Sequence, residues 1–202
     1  MDWFNNRTFT LLVQNNLPTL FKKAEIESMK GGKIGMEVGI LRERILISLL
    51  IKSFGVENVK FDFSSNDNSK DTQVFDDVLS IKTFMNNGYG GVKVFWASDN
   101  DSVKNVVEQY LPQNHFLISN IRWGSNRGGL YLINLETQIK LFKSLGVKNY
   151  LKINNGNNRG ISIQTNVLKT LLSHEDTKKI IIDWEDPKLE YNVFERWIKE
   201  IK

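Results

Sequence analysis

The chain has 202 residues, 41% of them hydrophobic and 25% charged, which suits one globular domain with a sizeable core. It has no cysteine and two histidines; this excludes a disulfide scaffold, a thiolate zinc site and a cysteine nucleophile, and leaves little for a histidine-rich metal centre. The net charge of +4 hides an asymmetry: residues 109–174 hold eight Lys/Arg against one acid, Glu136, so this stretch carries +7 and the remainder −3.

Taken in order, residues 1–30 read as largely helical. Leu17-Pro18-Thr19 is a helix start, and Leu17, Leu20, Phe21 and Ala24 follow at helical spacing. Met29 returns to that stripe before Gly31-Gly32 ends the helix. The expected element is a packing helix at the domain edge. Residues 36–54 form a strongly apolar helix stopped by Gly55. Steps of three and four along it pick out Ile40, Glu43, Ile47, Leu50 and Phe54, a face that packs on a sheet. Glu43 is therefore expected to point inward. Glu37, nearly two turns earlier, is placed to reach the same region. An inward acid needs a partner. A cation bound through oxygen serves, and an internal ion pair with Arg42, Arg44 or Lys82 is the alternative.

Residues 58–63 alternate like a strand and lead through a polar loop, 64–70, to Asp71. Two β-rich runs, 72–75 and 78–83, flank Asp76-Asp77, the pattern of a tight hairpin. Alternation puts Val78, Ser80 and Lys82 on one face and Leu79 and Ile81 on the other. Asp71 opens the first strand and approaches Ser80 and Lys82 across the hairpin. Burying such a charge costs several kcal/mol unless it is paired. A metal ion with a lysine aimed at a phosphate would justify it. The loop 84–91 carries Asn86, Asn87 and Tyr89 among three glycines, so it either approaches a ligand closely or simply connects strands.

Residues 92–97, with Lys93, read as a strand and 102–110 as a short helix. Residues 116–123 and 129–135 read as strands joined by Gly124-Ser125-Asn126-Arg127-Gly128, and 135–145 as a helix closed by Gly146. The loop 154–160 holds Asn157, Asn158 and Arg159. Residues 161–172 read as a helix and 178–184 as a buried strand. Pro187 starts a closing helix whose Leu189, Val193, Phe194, Trp197, Ile198 and Ile201 serve the core or a dimer contact. Strands and helices mix without repeat or linker, so the expected architecture is a single α/β domain spanning 1–202.

A basic surface rich in amides suits a polyanion whose bases can be read, because Lys/Arg neutralise phosphates while Arg and Asn pair with base edges. The candidate DNA-contacting residues are Asn86, Asn87, Tyr89, Lys93, Arg122, Asn126, Arg127, Asn157, Asn158 and Arg159. A solvated basic face is the plain alternative. No apolar run approaches the ~20 residues needed to span a bilayer, and no signal peptide is visible at the N-terminus, so the expected location is the cytoplasm.

Asp71, then eight residues, then Ser80-Ile81-Lys82, with Glu43-Arg44 on a preceding helix, resembles the PD-(D/E)xK nuclease superfamily and, within it, type II restriction endonucleases. The resemblance is carried by residues 40–83. It implies a central mixed β-sheet flanked by helices, a catalytic core at about 36–97 and a basic DNA-recognition region at about 109–174. By the family pattern Asp71 is the main metal ligand, Lys82 the catalytic lysine and Glu43 the helix acid. Ser80 stands where the family has a second acid, which leaves the site one charge short unless Glu43 or Glu37 supplies it. The implied cofactor is Mg²⁺, held by Asp71, Glu43 and the Ile81 carbonyl, and the implied partner is double-stranded DNA. Cutting both strands of a palindrome implies a homodimer. Two other activities fit the same core: a structure-selective nuclease of the Holliday-junction type, and a non-catalytic DNA-binding protein on a decayed nuclease fold.

Overall fold

The computed structural model describes residues 1–30, 32–35, 37–63, 70–85, 92–95, 107–153 and 160–201. The first helix, α1 (Arg7–Glu27), starts at Asn6, whose side chain accepts the Phe9 amide at 3.0 Å, as an N-cap should. It runs through Pro18, so the start expected at Leu17 lies well inside it. A buried stripe of Phe9, Val13, Leu17, Phe21 and Ala24 outweighs the one backbone bond that a proline removes. The helix ends at Ser28, and Met29 belongs instead to a small hairpin of β1 (Met29–Lys30) and β2 (Lys33–Ile34). Then comes α2 (Val38–Phe54), closed by Gly55 at φ 86°.

The following elements in chain order are β3 (Val59–Lys60), β4 (Thr72–Val74), β5 (Asp77–Met85), β6 (Lys93–Phe95), β7 (His115–Ile121), β8 (Ser125–Ile133), α3 (Leu135–Leu145), α4 (Val147–Tyr150), β9 (Leu151–Ile153), β10 (Ile161–Ile163), α5 (Thr165–Ser173), β11 (Lys178–Trp184) and α6 (Glu195–Glu200). Six strands form the central sheet in the order β11-β8-β7-β5-β4-β3. All its pairings are antiparallel except β5 with β7. This is the expected mixed sheet flanked by helices. A second sheet, β6-β10-β9, lies apart from it.

Two apolar clusters hold β5 from both sides. Leu79 and Ile81 enter the first, with Val13, Leu17 and Phe21 of α1 and Leu46 and Leu50 of α2. Phe84 enters the second, with Ile118, Tyr131, Tyr150 and Leu168. Ser80 and Lys82 share the Phe84 face by alternation.

Several local expectations give way. The hairpin turn is Phe75-Asp76, with Phe75 at φ 53°, and Asp77 belongs to the strand opposite Val74. Asp77 accepts the Trp3 indole N–H at 2.8 Å and lies 2.8 Å from the terminal amine, so it anchors the chain start. Residues 161–163 form β10 against β6 and β9, and only 165–173 are helical. The β-branched Ile161 and Ile163 suit that buried strand. Residues 187–194 are not helical, and Phe194, Ile198 and Ile201 are exposed, so they are not core.

Gly128 is a strand residue beside Gly129, not part of a loop. A Cβ on Gly128 would lie 2.3 Å from the Asn120 carbonyl oxygen and 2.5 Å from Trp184 Nε1. Gly128 thus lets the buried Trp184 lie flat against β8. Gly128→Ala is expected to cost about 1–3 kcal/mol through overpacking. The measurement is urea unfolding, where the midpoint falls at unchanged slope.

Candidate active site

Strands β4 and β5 pair only from Val74↔Asp77 to Thr72↔Leu79. Beyond that point the Asp71 amide still donates to the Leu79 carbonyl at 3.0 Å. The next donor on that edge of β5, the Ile81 N–H, has lost its strand partner. The Asp71 side chain takes the vacant place: its Oδ2 accepts the Ile81 N–H at 2.5 Å. The same oxygen accepts Ser80 Oγ at 3.2 Å and Lys82 Nζ at 3.1 Å. Three donors converge on one carboxylate oxygen and leave Oδ1 clear of them. The expected meeting of Asp71, Ser80 and Lys82 is therefore present, and both charged side chains stay partly open to solvent.

Glu43 approaches from α2. The buried face of that helix is Arg42, Leu46, Leu49 and Leu50, while Ile40 is 56% exposed. The helix is rotated by about one residue from the stripe read in the sequence, and Glu43 sits half-buried on its flank. Among the described residues Glu43 makes no hydrogen bond or ion pair. Burial first, and the Asp71 charge second, push its carboxyl above the usual glutamate range, and Lys82 and Arg44 oppose this. Two carboxylates thus lie in each other's field with one lysine between them. Arg42 is not the partner of Glu43, because it pairs with Glu25 on α1. Glu37 does not join the site: it is exposed at the start of α2, 3.8 Å from Lys30. Among the described residues no cluster of three or more His, Cys, Asp or Glu side chains is placed to hold a metal.

Beside Lys82 lies a cleft of about 260 Å³, lined by Ser80, Lys82, Phe95, Tyr110, Gln113 and Asn114 among others. It brings β6, which carries Lys93, to the lysine end of the site. Burial pushes the Tyr110 phenol up, so it stays protonated. Arg122 directly follows β7, and Asn126 and Arg127 are exposed on β8 rather than in a loop. Met85 pairs with Ile121 and Asn120 with Gly129, so these three residues cluster at the sheet end where β5 finishes. Asn86, Asn87, Tyr89, Asn157, Asn158 and Arg159 lie outside the described residues.

The reading from sequence missed Glu25, 4% exposed, and took Arg42 only as a possible mate for Glu43. The signal was present: Glu25 lies four residues after Phe21, on the buried stripe of α1. The cleft residues Gln113 and Asn114 carried no comparable signal, since their approach to Lys82 depends on the parallel β5–β7 pairing.

Comparison with known proteins agrees with this geometry. The family model described as restriction endonuclease ThaI matches residues 3–201. A solved structure described as a restriction endonuclease in complex with substrate DNA is similar at a TM-score of 0.90. It is 37% identical, and the match covers 98% of this chain and 96% of that one. No curated protein sequence matches the chain.

The raised Glu43 carboxyl sets a pH dependence. The fold favours its protonated form, so that contribution is complete below the ordinary glutamate value and is lost as pH rises through the raised one. Glu43→Gln is therefore expected to raise the Tm of the metal-free protein at neutral pH and to leave it unchanged in acid. Thermal unfolding of parent and variant at both pH values checks this, and no gain at neutral pH would sink the account.

Proposed function

This chain belongs to the ThaI restriction endonuclease family and is a type II restriction endonuclease; we propose that it cuts double-stranded DNA at a specific sequence using Mg²⁺ and the residues gathered on Asp71. The observation that carries this reading is the convergence of Ser80, Ile81 and Lys82 on Asp71, with Glu43 in the same field.

The residues present fit a divalent cation. Asp71, Glu43, the Ile81 carbonyl and the Ser80 hydroxyl offer only oxygen donors, the set that Mg²⁺ prefers. The Glu43 carboxylate has no hydrogen bond among the described residues, and a cation would relieve its repulsion with Asp71. Ser80 contributes no charge, so Glu43 supplies the second negative charge. When bound, the metal acidifies water for attack and stabilises charge on the phosphate oxygens.

The chain's own groups do the rest. Asp71 holds the middle of β5 in place through the Ile81 amide and so sets where Lys82 points. Lys82 contacts the scissile phosphate and orients or helps deprotonate the attacking water. Lys93, Arg122, Asn126 and Arg127, with Asn86, Asn87, Tyr89, Asn157, Asn158 and Arg159, make the DNA contacts. Most of the basic ones touch phosphate and fix register, while the asparagines and arginines reaching base edges specify. In this division residues 36–97 form the catalytic core and 109–174 the recognition region. Two copies of the chain act as a homodimer, since cutting both strands of a palindrome takes two sites and dimer symmetry mirrors site symmetry.

Lys82→Ala is expected to slow single-turnover cleavage of a duplex by at least about 100-fold, the size of a general acid–base contribution, while leaving affinity for that duplex unchanged. Cleavage rates and metal-free binding on a long defined duplex, with and without Mg²⁺, check this. Equal losses in cutting and binding would count against the assigned role.

A further inference from the structure

One ion pair outside the site is buried on both sides. Arg42 and Glu25 are each 4% exposed. Arg42 Nη2 donates to Glu25 Oε1 at 2.5 Å and to Met85 Sδ at 3.2 Å. The same Glu25 oxygen accepts the Trp123 indole N–H at 3.0 Å, and the guanidinium lies 5.6 Å from the centre of the Phe21 ring. Such a pair is a poor device for stability, because desolvation offsets most of the attraction and an apolar pair of similar volume often does as well. What the pair provides is direction.

The contacts join three elements. Glu25 belongs to α1, Arg42 to α2 and Met85 to β5. Arg42 is next to Glu43 on the helix, and Met85 lies three residues past Lys82 on the same strand. The guanidinium therefore ties the helix that bears the acid to the strand that bears the lysine. The rest of the α2 buried face is Leu46, Leu49 and Leu50, apolar side chains with no directional contact. A slip of α2 by one residue would turn Glu43 by about 100° away from Asp71.

We infer that Arg42, held by Glu25, is a positioning residue that sets Glu43 opposite Asp71 and so tightens the grip of the site on its divalent cation. This rests on the reading of Glu43 as a metal ligand. The test is Mn²⁺ titration of the full chain, with free Mn²⁺ read by electron paramagnetic resonance, for the parent, Arg42→Lys, Glu25→Gln and Glu43→Gln. Arg42→Lys keeps the charge but loses the planar fork. The Mn²⁺ Kd of Arg42→Lys and of Glu25→Gln is expected to rise about tenfold or more, the usual cost of losing support behind a ligand. Metal-free affinity for duplex DNA stays at the parent value, and cleavage by Arg42→Lys recovers at saturating metal.

A role in packing alone lowers Tm without moving the Mn²⁺ Kd, so parent-like Mn²⁺ affinity in folded Arg42→Lys, beside weakened affinity in Glu43→Gln, overturns the inference. Parent-like affinity in Glu43→Gln removes the ligand reading itself, and the inference with it. If the single variants do not fold, the apolar pair Arg42→Met with Glu25→Leu, which leaves no buried charge, replaces them. The same rise in Kd is expected there, and parent-like affinity again overturns the inference.

Discussion

One carboxylate oxygen decides the geometry of this molecule's working end. Strand β4 leaves β5 after Thr72, and a sheet that forks this way strands a backbone donor. Asp71 Oδ2 replaces the missing carbonyl for Ile81 and also gathers Ser80 and Lys82. The sheet cannot close past this point without expelling the aspartate, and the aspartate cannot leave without orphaning an amide. The site is therefore where β4 and β5 diverge. The apolar clusters on either side of β5 serve the same end: Leu79 and Ile81 are gripped from one face and Phe84 from the other. Lys82 emerges from a strand with little freedom to move.

Electrostatics add a second constraint. A site with Asp71 and two further acids would carry more repulsion than one lysine can offset at close range. With Ser80 in the second position, only Asp71 and Glu43 oppose each other, and the Asp71 charge adds to burial, the larger cause, in raising the Glu43 carboxyl. The metal-free fold tolerates this because Glu43 is half-buried on a helix flank instead of sealed in the core. Its stiffness comes from the neighbouring Arg42, which is sealed in the core and whose Nη2 donates to both Glu25 and Met85. Adjacent residues of one helix thus divide the work, one fixing rotation and the other facing the fork.

Sequence alone revealed the hairpin and the meeting of Asp71, Ser80 and Lys82 because a strand has a rigid period of two. Once Leu79 and Ile81 are inside, Ser80 and Lys82 must share the opposite face. Helical phase is softer. The stripe through Ile40, Glu43 and Ile47 and the stripe through Arg42, Leu46 and Leu49 are one residue apart, and both contain large hydrophobes. What chose between them was a charge pair formed across 17 positions, Arg42 with Glu25, which no local pattern announces. One glycine misled for a related reason. Gly128 reads as loop by composition, yet it sits in β8 beside Gly129 because the Asn120 carbonyl and the Trp184 ring leave no room for a side chain. The short strand β10 reads as helix by its neighbours, and only its partners β6 and β9 make it extended.

In the proposed reading, the parallel pairing of β5 with β7 lets cutting and reading share one sheet. It sends β5, β7 and the start of β8 to a common end, where Met85 stands beside Ile121 and the chain turns through Arg122 to Asn126 and Arg127. An antiparallel β7 would have carried those residues to the opposite end, away from the strand that leaves Lys82. Arg122 and Arg127, two of the basic residues of this region, thereby stand on or beside the same sheet as Lys82. Long-range attraction brings any duplex to such a surface but says little about sequence. Discrimination then depends on whether base contacts and the scissile phosphate can be met at once, and a stiff connection is what makes them conditional on each other. In the proposed reading, a register error at Asn126 or Arg127 would be carried along β7 and β5 as a displacement of the phosphate from Lys82, so that site selection rests on distances within a single sheet.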